Sequence, residues 1–100
     1  MAGDADALPD EILAEYARDC RVLLGHARAA ALSPDWPSDA APRQVVREAA
    51  HKLAGSAGLY GFEPAGALAA ALEADLAAGV PPAQDVRARL DALARALNAA

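Results

Sequence analysis

The sequence predicts an all-α fold, an antiparallel up-down four-helix bundle, on three observations. Alanine and leucine dominate an apolar fraction of 55%, and both are strong helix formers. β-Branched residues are scarce, with a few valines, one isoleucine and no threonine, too few for a sheet. Apolar residues recur at three- and four-residue steps through four segments separated by proline and glycine. A chain of 100 residues fits one domain, spanning 1–100, and leaves no space for a nucleotide-binding domain beside it.

The first helix is expected over about residues 9–31. Pro9 suits a first turn, and Asp10 and Glu11 complement the positive end of the helix dipole. Ile12, Tyr16, Cys20, Leu23, Leu24 and Ala27 form its stripe. A linker follows over about 33–41. The stretch Ser33–Pro42 holds three prolines, two aspartates, two serines and Trp36, whose indole is expected to fold back over one end of the core. The second helix is expected over about 42–60, with Val46, Ala50, Leu53, Ala57 and Tyr60 inward and Gly61 as a left-handed cap. The third spans about 63–79, striped by Leu68, Leu72 and Leu76. The fourth spans about 82–98, striped by Val86, Leu90, Leu93 and Leu97. Very short connections make the last three helices antiparallel neighbours.

Charge and composition exclude several function classes. A net charge of -5 disfavours nucleic acid and anionic membranes as partners. No apolar stretch reaches the roughly 18 residues of a membrane helix. Met1–Asp6 lacks the basic and apolar regions of a signal peptide. Cys20 stands alone, so no internal disulfide forms, which fits a reducing cytoplasm. No ligand spacing links His26 to His51, and no metal site is expected; His26 reads as a surface or capping residue near the end of its helix.

The informative segment is His51–Phe62. With the apolar stripe of helix two at zero and about 100° per residue, His51 falls near 140°, Gly55 near 180° and Gly58 near 120°. All three face outward. Lys52 and Arg47 lie on opposite flanks. Glycine costs about 1 kcal/mol relative to alanine in a helix, and alanine is this chain's ordinary filler. Two outward glycines beside an imidazole therefore suggest close approach of another body. Imidazole is nucleophilic at neutral pH, and the Lys52 ammonium can hold a phosphoryl group by charge. His51 lies eleven residues before Phe62 and Glu73 eleven after, so a hairpin sets them at one height. Glu73 is then placed to accept a hydrogen bond from the nitrogen that does not react.

The run His51-Lys52-Leu53-Ala54-Gly55-Ser56-Ala57-Gly58, closing at Gly61-Phe62, resembles the motif of histidine-containing phosphotransfer (HPt) domains. Leu72-Glu73 resembles the Leu-Glu pair that often closes it. The matching part covers roughly Ala50 to Glu73. The resemblance implies a cytoplasmic phosphorelay carrier, with no ATP site or cofactor of its own. His51 would be the phosphoacceptor, and Gly55, Gly58, Ser56 and Arg47 would serve access and docking. The implied partners are response-regulator receiver domains and a histidine kinase, hybrid kinases included, and Mg2+ would belong to the receiver. Oligomeric state is left open by the sequence, with a monomer as the default. Many members carry a lysine three residues after the histidine. Here that position is Ala54, and the lysine is Lys52. The alternative is a helical docking module that binds a receiver or kinase domain without being phosphorylated.

Overall fold

The structure is a computed structural model, and it describes residues 8–99. The acidic stretch Met1–Asp6 lies outside the described residues. Four helices run in chain order: α1 (Asp10–Ala30), α2 (Ala40–Ser56), α3 (Glu63–Ala78) and α4 (Ala83–Ala99). A 3-10 turn, Ala57–Tyr60, extends α2. No strand occurs among the described residues. Each helix packs against its sequence neighbours and α1 closes on α4, giving the four-helix bundle, 51 × 22 × 18 Å.

The core is built as much from alanine as from leucine. Leu24, Leu53, Leu72, Leu90, Leu93 and Leu97 alternate with Ala17, Ala27, Ala49, Ala50, Ala57, Ala65 and Ala69. A methyl at the contact lets helix axes approach closely, and the leucines fill the space between. Cys20 is a small core residue, and burial pushes its thiol pKa up. Two positions depart from the expected stripes. Leu68 is 40% exposed, because α3 turns Ala65 and Ala69 inward beside Leu72 and leaves Leu68 on its flank. Ile12 is 42% exposed near the start of α1, where Leu13 and Tyr16 take the inward side.

Helix bounds also shift where side chains compete for the backbone. α2 begins at Ala40 rather than Pro42, because the Asp39 carboxylate accepts from the Ala41 N–H at 3.0 Å and caps the helix there. The regular helix ends at Ser56, and the last turn tightens to 3-10 before Gly61, whose φ of 86° reverses the chain. The expected left-handed cap is therefore present.

Each end of the bundle is stapled. Trp36 is 2% exposed, and its indole N–H donates to the Pro81 carbonyl at 2.8 Å. That bond ties the α1–α2 connection to the α3–α4 connection. Arg43 donates to the Trp36 carbonyl at 2.6 Å, and Arg87 donates to the Ala31 carbonyl at 2.8 Å, satisfying the open end of α1. At the other end Tyr16 stacks on Tyr60 at 3.9 Å between centroids and lies against Phe62. The α2–α3 hairpin is thus held at its turn and along its length.

Candidate functional site

The site lies on the outer surface of that hairpin. His51 emerges from α2 with its side chain 75% exposed. The buried residues of α2, Val46, Ala49, Ala50 and Leu53, fix which way the helix faces. His51, one step past Ala50, is thereby turned to the edge shared with α3. There Glu73 meets it, with Oε2 2.7 Å from Nδ1. The hairpin geometry expected from the sequence is realised.

That contact sets the chemistry of the ring. A carboxylate only accepts hydrogen bonds, so Nδ1 carries the proton it donates. In the neutral ring the lone pair then belongs to Nε2, the nitrogen at the outer tip. Glu73 is 28% exposed in its side chain and anchored on α3, so it limits rotation of a ring that the solvent leaves free.

Gly55 and Gly58 continue the His51 edge towards the hairpin turn. A Cβ added at either would meet no heavy atom within 4 Å beyond the helix's own backbone. Neither glycine makes room for a neighbouring helix. Both leave bare backbone open to solvent.

On the other side of His51 lies a surface hollow of about 360 Å3, lined by Gln44, Arg47, Glu48, His51, Lys52 and Glu73. Both predicted cations, Arg47 and Lys52, border it. Gln44 donates to Glu48 at 3.1 Å, occupying one acidic neighbour.

Ser56 is placed differently from the other candidates. Its hydroxyl donates to the Lys52 carbonyl at 2.8 Å and lies 2.7 Å from the Tyr16 hydroxyl. With its own proton committed, Ser56 accepts from Tyr16. It faces α1, off the edge that His51 and the glycines share. Burial raises the Tyr16 pKa to about 12, which keeps the phenol a donor. Tyr16 is legible in the sequence as an apolar stripe residue only. Its bond to Ser56, 40 positions away, has no local signal. Gln44 and Glu48 are not singled out by the sequence either, although their four-residue spacing on a helix is a readable cue.

A helical bundle that holds one braced imidazole outward, beside bare backbone, is a histidine-presenting domain. The chain belongs to the Hpt domain family, whose sequence pattern matches residues 11–100. The family comprises histidine phosphotransfer modules of two-component phosphorelays, which interact with receiver domains and histidine kinases. Searches of curated proteins and of solved structures give no match. His26 is exposed on α1. Among the described residues no helix is long and apolar enough to cross a membrane.

Proposed function

We propose that this chain relays a phosphoryl group through phosphohistidine at Nε2 of His51. The donor is a histidine kinase or a receiver-domain aspartyl phosphate, and the acceptor is the aspartate of a response-regulator receiver. The observation that carries the reading is the 2.7 Å contact between Nδ1 and Glu73 beneath a ring tip open to solvent.

In the forward step the Nε2 lone pair attacks phosphorus. The N–P bond forms as the aspartyl O–P bond breaks, and the carboxylate leaves with its electron pair. No proton has to move. The ring keeps its Nδ1 proton and gains positive charge, which the Glu73 carboxylate offsets. The reverse step returns the phosphoryl group to a second aspartate. Gly55 and Gly58 let the partner's surface come close enough for in-line approach. Mg2+ is supplied by the receiver, where it neutralises the acyl phosphate. The chain itself contributes no nucleotide site and no cofactor. It acts as a monomer in the cytoplasm.

The test is incubation with phosphorylated receivers, scoring acid-labile phosphate on the chain. Wild type takes up label and His51→Gln takes up none. Full uptake and signalling by His51→Gln would leave only the docking-module reading.

A further inference from the structure

A relay through His51 needs cationic donors for the phosphoryl group, which carries about -1.5 to -2 charge at neutral pH. We propose that Arg47 is the residue that grips the phosphoryl oxygens on His51, a catalytic role distinct from partner docking. This role rests on the relay reading of His51.

Geometry separates the two cations of the hollow. Helical side chains lean towards the N-terminus of their helix, so a residue covers the turn before its own Cα. The His51 ring therefore lies over the turn of Arg47 and Glu48. The lining of the hollow by Gln44, Arg47 and Glu48 agrees with that lean. Arg47 sits four residues before His51, about 40° round the helix, and both border the same hollow. A side chain at position 54 would lean back over the ring from the other direction, but Ala54 offers only a half-buried methyl. Lys52 stands about 100° round the helix from His51. It also borders a second hollow between α1 and α2, with Asp19, Tyr16, Cys20 and Ser56.

Arg47 is also uncommitted. Among the described residues no hydrogen bond or ion pair engages its guanidinium, whereas Arg21, Arg28, Arg43, Arg87 and Arg89 are all engaged; the Lys52 ammonium has no partner either, so the planar fork and the smaller angle to His51 are what set Arg47 apart. The adjacent Glu48 already accepts from Gln44. A planar fork with no partner, bordering the same hollow as a nucleophilic nitrogen, matches the paired oxygens of a phosphoryl group.

The experiment uses two donors, because a docking residue and a phosphoryl-gripping residue respond differently to them. Phosphoramidate is a small phosphodonor with no surface to dock. The phosphorylated receiver has both. Arg47→Ala is expected to slow labelling about tenfold with either donor, the loss of one charge-assisted contact. Arg47→Lys should recover part of the rate, keeping charge without the fork. Arg95→Ala, an exposed cation of α4, controls for net charge and should leave both rates unchanged. Circular dichroism should stay native throughout, since Arg47 is exposed. If Arg47→Ala slows the receiver reaction alone, Arg47 only docks and the proposal is overturned. A loss carried by Lys52→Ala, with Arg47→Ala silent, overturns it equally. His51→Gln tests the underlying reading separately: label on that variant, or none on wild type, removes the relay itself.

Discussion

At the scale of single residues, orientation of one ring is the decisive feature. Glu73 fixes the tautomer of His51, so Glu73→Ala should slow phosphoryl uptake about tenfold, the range expected for a hydrogen bond to a charged group. Glu73→Gln can still accept a bond from Nδ1 through its amide oxygen, and should fall between that variant and wild type. Uptake kinetics from a labelled receiver check both. Tyr16 gives a prediction in pH. Its folded pKa, about 12, lies above the ordinary 10.0, so folding favours the neutral phenol. That contribution to stability is complete below about pH 10 and is lost as pH rises towards 12. Tyr16→Phe, which has no phenol to titrate, should show a flatter loss of stability over that window, read by denaturation at successive pH values.

At the scale of elements, α2 gives up stability to leave bare backbone beside His51. Gly55 sits in open space in a regular helix, so Gly55→Ala should stabilise the fold by about 0.5–1 kcal/mol. A bulkier Gly58→Leu, also facing open space, should leave the bundle folded yet impair transfer, since the added side chain occupies the approach to the ring tip. Native circular dichroism with unchanged transfer would remove the access argument. The start of α2 depends on Asp39, and Asp39→Ala should cost about 1 kcal/mol in urea unfolding. Of these features, the glycines are legible in the sequence because they break the chain's own alanine habit. The helix start is not, because Asp39 and Pro42 both signal a beginning and only the formed cap decides between them.

At the scale of the whole molecule, Trp36 joins the two connections at one end of the bundle. It is buried, and its indole N–H has a partner in Pro81. Trp36→Ala should cost about 3–5 kcal/mol, the range for truncating a buried aromatic, a large share of a small domain's stability. As the sole tryptophan it also reports on unfolding: its emission should shift red in one transition that coincides with loss of helix. Two separated transitions would show that the stapled end opens independently of the bundle.

The sequence by itself determined the fold class, the helix order and the outward face on which His51 stands. Those rest on local propensity, on periodicity and on composition, which each segment carries alone. It also placed His51 and Glu73 at one height, because an antiparallel hairpin obeys simple counting about Phe62. Tertiary structure alone decided the rest. Whether α3 turns Leu68 or Ala69 inward depends on how closely its neighbours approach, and the close alanine packing of α3 chose Ala69. Ser56 is turned to α1 by a bond to Tyr16 that no local pattern encodes. Arg47 and Lys52 both border the ring's hollow, and which arginines are engaged elsewhere depends on contacts between helices. Pairings between distant segments are set by packing, and a sequence read one helix at a time does not contain them.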